Sequence, residues 1–358
     1  MAGDRSRPLA IAAACATVMG VGVAQAQFQP AAPLPVLTIE DRQSIALSGR
    51  APQGLDVDLE TGLVYVSNNG SYVAACKGTG EGVDRSMSIV DPAVLRETAR
   101  VDNMGGPVWP LVDVARNVVY SANSGGKSLT VHERVTGRLL ATIPLGGRPH
   151  QAGFDPQHRW IVVSNSNDES QTFVAIVDAD ARAVVRHLAV SPLPHGVSVD
   201  VDRHRAYVSS VGDGTNTLID LSDGTVAGII QQTTSGHPNA NMNAFSRTLR
   251  RLFIGDTPRI TVVDADSGAR VGAISFGSPA WGMQVDEAAG LLYAALPDQN
   301  AIGVADATTL DALALIRVDD CPFAVRLDTV RRTGFSTGMN GNRLTMFPLE
   351  RVEAALGR

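Results

Sequence analysis

Between Pro107 and Arg148 the chain alternates four short apolar runs with four polar turns. Val108–Val114 leads into Ala115–Asn117, Val118–Ala122 into Asn123–Lys127, Ser128–His132 into Glu133–Gly137, and Leu139–Leu145 into Gly146–Gly147. Runs of this length, rich in Val, Ile, Leu, Thr and Tyr and bounded by Gly, Asn and Pro, predict strands. Four antiparallel strands in roughly 40–45 residues make one blade of a β-propeller.

The unit recurs. Its copies start at Pro52, Pro107, Pro149, Pro194, Pro238, Pro279 and Pro322, with spacings of 55, 42, 45, 44, 41 and 43 residues. Six residues after the proline stands an aspartate in five copies: Asp58, Asp113, Asp155, Asp200 and Asp328. It slips one place to Asp286 in the sixth copy, and Ala244 replaces it in the fifth. A second acidic mark follows the third strand, at Asp91, Glu133, Asp178, Asp220, Asp264 and Asp306. Proline cannot donate to a ladder and suits the first position of a strand. Aspartate closes a turn by accepting from its own backbone. A single blade leaves both faces exposed, and stacking around an axis buries them. The expected fold is therefore all-β: one seven-bladed propeller of four-stranded antiparallel blades, despite a length that would otherwise suggest two or three domains.

The second strands read Val64-Tyr65-Val66-Ser67-Asn68, Val119-Tyr120-Ser121-Ala122-Asn123, Val162-Val163-Ser164-Asn165, Ala206-Tyr207-Val208-Ser209 and Leu292-Tyr293-Ala294-Ala295. With the V-x-D-x-x-T-G marks, these resemble the YVTN-repeat (YncE-like) β-propellers over about Pro35 to Leu349. The resemblance implies a propeller fold. It leaves activity open, because one propeller architecture hosts many functions.

At the N-terminus, Arg5 and Arg7 precede an uncharged apolar stretch, Leu9–Val23, and an Ala24-Gln25-Ala26 cleavage pattern. Residues 1–26 are expected to be a secretory signal peptide, which directs the chain to the periplasm or beyond. Their apolar run is shorter than the ~20 residues that a span requires, and no later segment approaches one. Residues 27–35 read as a linker, 36–349 as the propeller and 350–358 as a short helical tail. The last copy shows only three strands: Ala324–Leu327, Gly334–Thr337 and Leu344–Phe347. Val36–Ile39 and Ile45–Ser48 look like strands, and the N-terminal stretch is expected to supply the missing outer strand and so close the ring without an open edge; whether Val36–Ile39 joins that sheet is left open.

The charge is −6, and removing Asp4, Arg5 and Arg7 with the signal makes it one unit more negative. An acidic surface without a basic stripe argues against nucleic-acid binding. Two cysteines lie outside the signal, Cys76 and Cys321. If strands run from the axis outward, the loop after the second strand and the link into the next blade emerge on one face. Blades one and seven are then neighbours, and a Cys76–Cys321 disulfide is predicted at the closure. The alternative is two thiols too far apart to bridge.

Polar residues collect on that same face. Blade three enters with Arg148-Pro149-His150, blade four with Pro194-His195 and blade five with His237-Pro238-Asn239; Trp109 and Trp281 share a position two residues after the proline. Inner strands line the channel, so Arg148, His150, His195, His237, Trp109 and Trp281 are candidates for a binding site at its mouth. Imidazoles converging there could hold a divalent or transition metal or act as a general base. The bland alternative is histidines bonding a neighbouring blade's backbone. His132, His158, His187 and His204 fall in turns or outer strands by repeat position and are expected to be solvated. Asn69–Met87 is an insertion that no other copy has. Its Gly78–Gly82 pattern precedes no helix, so a nucleotide loop is not indicated, and a lid or partner contact is expected instead.

Two functions of different class follow. One is an exported binding or scaffold protein that holds a protein partner or small ligand at the channel mouth. The other is an enzyme: Arg148-Pro149-His150 with Phe154-Asp155-Pro156 resembles a segment of propeller lactonases and cycloisomerases, where an arginine can stabilise an oxyanion. A third option, a subunit beside a redox enzyme, would need a second polypeptide, since the chain has no Cys-x-x-Cys-His haem site.

Overall fold

A computed structural model describes residues 33–358 except 71–75, 77–83, 167–171 and 232–239. The 1–26 signal, most of the Asn69–Met87 insertion and His237 lie outside the described residues.

Seven separate sheets follow one another along the chain, and each has its first strand at the axis. Blade one comprises Pro52–Val57, Val64–Asn68, Ser86–Asp91 and Arg96–Val101, and blade two begins at Pro107–Asp113. The inner strands of blades three, four and seven are Pro149–Asp155, Pro194–Asp200 and Pro322–Asp328. Those of blades five and six are Ala240–Ser246 and Met283–Asp286. Pairing within every blade is antiparallel, as the runs and turns predict. Middle strands such as Val64–Asn68 and Leu291–Leu296 are wholly buried, because neighbouring blades cover both of their faces. Fourth strands such as Ala183–Ala189 are largely exposed at the rim.

The ring closes as predicted. Gln43–Ala46 pairs antiparallel with Arg343–Pro348 and completes blade seven. Val36–Leu37 does something else: it pairs parallel with Ala312–Arg317 and makes blade six five-stranded. The short helix Leu349–Ala355 then buries Leu349 and Val352 beside Tyr293 and Phe347. Cys76 and Cys321 form the disulfide, with Cα atoms 5.7 Å apart, so the face assignment derived from strand direction holds.

The recurring aspartates do more than close turns. Asp58 accepts from the backbone N–H groups of Glu60 and Thr61, as a turn residue should. It also meets Arg134 of the next blade at 3.0 Å. Asp113 meets Arg159 at 2.7 Å, Asp200 meets Arg250 at 2.6 Å and Asp286 meets Arg332 at 2.7 Å, each across a blade boundary. Asp58, Asp200 and Asp286 are fully buried, so each needs a positive partner. Arg159, Arg250 and Arg332 occupy the same left-handed turn position, with φ of 57°, 54° and 49°. At the seven–one junction Arg331 binds Asp328 within its own blade and donates to the carbonyls of Leu59 and Glu60 in blade one. The blades are thus linked by charge on the turn face and by the disulfide on the strand-start face.

Candidate functional site

The inner strand of a blade runs from the strand-start face to the turn face, and in blades two, three, four and seven it begins at a proline and ends at an aspartate. Its early residues line one end of the channel and its late residues the other. The sequence candidates occupy the early positions.

His150 and His195 come together there. Their ring centroids are 3.4 Å apart with planes at 30°, a close, tilted pair. The His150 ring lies 6.4 Å from Phe323, and Trp281 meets Phe323 edge-on at 4.9 Å. His150 is 5% exposed, and its Nδ1 has no hydrogen-bond partner among the described residues. The Nδ1 of His195 sits 3.2 Å from the carbonyl oxygen of Asn241. Burial drives the pKa of His150 well below its ordinary value, and the adjacent His195 adds to this. Burial likewise lowers His195 to about 4, against the opposing pull of the Asn241 carbonyl. Both rings are therefore neutral at neutral pH, and they plug this end with aromatic surface. Arg148 is exposed on the link ahead of Pro149 and is not part of the plug. Among the described residues no group of three metal-ligating side chains includes His150 or His195.

Trp109, from blade two, packs between residues of blades one and seven. It is 2% exposed and lies against Gly54, where a β-carbon would meet the indole at 2.6 Å. Its other neighbour is Arg326, whose guanidinium carbon is 4.7 Å from the indole centroid.

Below the plug, the late inner-strand residues surround a cavity of about 380 Å³. Asp56, Gln151, Ser198, Asn243, Gln284 and Arg326 contribute polar side chains from six blades, and Leu59 and Glu287 stand at the turn-face end. Several of these groups also tie blade to blade. Asp56 accepts from the backbone N–H of Val112, Gln151 from that of Val197 and Gln284 from that of Leu327. Ser198 donates to Asn243. Arg326 differs from them. Its guanidinium donates weakly to the carbonyls of Val325 and Met283, at 3.2 and 3.4 Å. It has no carboxylate within 4.0 Å among the described residues, although the field of Asp56 reaches it. Burial lowers the Arg326 pKa and raises that of Asp56, and each charge partly offsets the effect on the other.

Sequence reading missed this half of the channel. The available signal was the charged pair four residues after the starting proline, Asp56 and Arg326, in blades that closure makes neighbours. The solvated reading holds for His187, which is exposed, and is corrected for His132, His158 and His204. His132 is 2% exposed and sits between the Gly137 carbonyl and the Thr130 hydroxyl, because third-strand side chains face the next blade. His187 lies against Phe173 and the Leu145 carbonyl of the preceding blade. His158 and His204 both reach the buried Asp155.

These features define a seven-bladed β-propeller with a plugged, polar-lined channel. No family model matches the chain, and no curated protein is similar to it. Its fold is similar to that of a solved chain described as Kuenenia stuttgartiensis hydrazine synthase. The TM-score is 0.70 and the sequence identity 14%, over 85% of this chain and 97% of that one. At that identity the likeness carries the architecture and no activity. No helix among the described residues is long and apolar enough to cross a membrane.

Proposed function

We propose that the chain is an exported, non-enzymatic binding propeller of the YVTN-repeat type. Its channel takes a small carboxylate-bearing ligand, and its strand-start rim, with the Asn69–Met87 insertion, faces a protein partner. The observation that carries the ligand reading is Arg326. A guanidinium held in a cavity without a carboxylate on it is an incomplete ion pair, and a bidentate anion completes it. The stacked Trp109 fixes its plane, and Gln151, Asn243 and Gln284 offer hydrogen bonds to a bound polar molecule. Polar groups that converge in a preformed concave site can fix the orientation of a small ligand. Export is supported by the N-terminal sequence and by a disulfide of the kind that persists in oxidising compartments.

The enzymatic reading has less behind it. A general base works best with a pKa near the operating pH, and burial holds His150 and His195 far below that. Neither imidazole has a carboxylate among its described partners to orient it. A role beside a redox enzyme rests on no residue of this chain.

Calorimetric titration with acetate, malonate and citrate tests the ligand reading. The wild type should bind at least one of them, and Arg326→Met, which keeps the contact with Trp109, should not. Equal binding by both proteins, or none by either, would remove Arg326 as the anchor.

A further inference from the structure

Four blade junctions on the turn face pair a buried aspartate with an arginine of the following blade. The junction of blades three and four departs from that rule. Asp155 is fully buried like its counterparts, but the left-handed turn position that holds arginine in blades three, five and seven here holds His204, with φ of 51°. A second imidazole, His158, joins it from the same turn as Asp155. From this departure we infer a divalent-metal site: Asp155, His158 and His204 bind a zinc-class ion that takes the place of the missing guanidinium.

The charge argument comes first. A buried carboxylate needs a lasting positive partner, and removing one is costly. In place of the guanidinium stand two imidazoles, and a dication held by them would supply the positive charge. The chain places two histidines here where each of the four paired junctions places one arginine.

The three side chains converge on one point between the blades. The Nδ1 of His158 is 2.7 Å from Asp155 Oδ2, and the Nδ1 of His204 is 3.3 Å from the same oxygen. All three ligand atoms lie within 4.8 Å of one another. Ligands at about 2.1 Å from zinc stand roughly 3.0–3.4 Å apart in octahedral to tetrahedral arrangements. The two rings meet edge-on, with centroids 4.7 Å apart and planes at 89°. They therefore approach from different directions, unlike the close, tilted pair in the channel. Asp155 Oδ1 accepts from the N–H of Gln157 at 3.0 Å, which fixes the carboxylate and leaves Oδ2 for the metal. Packing of His158 against Trp160, with ring centroids at 5.7 Å, steadies one imidazole.

Two nitrogens and one carboxylate oxygen favour zinc, cobalt, nickel, copper or ferrous iron over calcium or magnesium. The side chains of His158 and His204 are 28% and 18% exposed, so an ion can enter and water can fill its remaining positions. The site lies on the opposite face from His150 and His195. It binds two blades together, which makes its role structural.

The test uses the full chain, free of any affinity tag, stripped with chelator and titrated with zinc alone. Calorimetry should give one equivalent bound, and the thermal midpoint should rise with zinc. Cobalt should give a visible absorption band at the same stoichiometry. His204→Arg restores the arginine of the other junctions. It should weaken zinc at least about tenfold, abolish the cobalt band and leave the zinc-free midpoint at or above that of the wild type. His150→Phe should keep full zinc binding. Wild-type protein that takes up no stoichiometric zinc would overturn the inference. So would a His204→Arg variant that keeps the band and the midpoint shift. Should that variant not fold, His158→Gln puts the same question with the same expected loss.

Discussion

At one end of the channel His150 and His195 lie ring against ring beside Phe323 and Trp281. At the other, Asp56 and Arg326 stand in a polar cavity a few residues further along the same inner strands. The strand-start end is closed by neutral aromatic surface and stapled by Cys76–Cys321. The turn end is held by charge, both in the lumen and in the aspartate–arginine pairs around it. One scaffold thus carries a sealed end that depends on redox state and acid, and an open end that depends on ionic pairing. The difference shows that a repeat sets backbone position alone, while the side chains at each end decide what that end can bind.

Four measurements would break or sharpen this contrast. The largest effect is expected on the charged face. Arg134→Met leaves Asp58 buried without its cation and should lower the unfolding free energy in urea by about 3–5 kcal/mol. A loss below about 1 kcal/mol would mean that water reaches Asp58 and that this face is not held by charge. Next comes the staple. Cys76→Ser together with Cys321→Ser should cost about 2–4 kcal/mol, with a matching loss when the wild type is reduced. No change on reduction would show that the strand-start end is closed by packing alone.

Acid separates the two ends. The folded-state pKa of His195 lies at about 4, below the ordinary 6.5, so the unfolded chain takes up the proton first. Stability from this group is complete above about pH 6.5 and should be lost as pH falls towards 4, by about 3 kcal/mol. Denaturant melts across this range should show the decline, and His195→Phe should flatten it. An unchanged slope in that variant would place the acid sensitivity elsewhere. The smallest effect is expected for Arg326→Met. Arg326 is half-buried and makes only long bonds to the Val325 and Met283 carbonyls, so stability should move by less than about 1 kcal/mol while carboxylate binding is lost. A large destabilisation would make Arg326 a structural residue.

Much of the fold was legible because a repeat states it seven times. The starting prolines and the Tyr-bearing second strands mark blade and strand order. Strand direction then places Cys76 and Cys321 on one face without any coordinates. The candidate site was legible only in part. His150 and His195 do meet, because repeat position implies shared depth along the axis. Their close contact, their neutrality and the exclusion of Arg148 depend on how neighbouring rings fill the lumen. Arg326 went unnoticed because a single charge in a strand has no periodic signature. His158 and His204 looked like turn residues, and only the buried Asp155 between them gives them a role.

The sequence by itself determined the number of blades, their connectivity and a closing strand from the N-terminal stretch, and it left the disulfide open between a bridge and two distant thiols. Blade count and connectivity follow from local hydrogen-bonding rules repeated at a fixed period. Tertiary structure alone decided which end of the channel is plugged, which charges face each other across a blade boundary and where imidazoles meet a carboxylate. Those contacts join residues about one blade apart in sequence, or opposite ends of the chain. Their energies depend on burial and separation, quantities that a linear pattern does not contain.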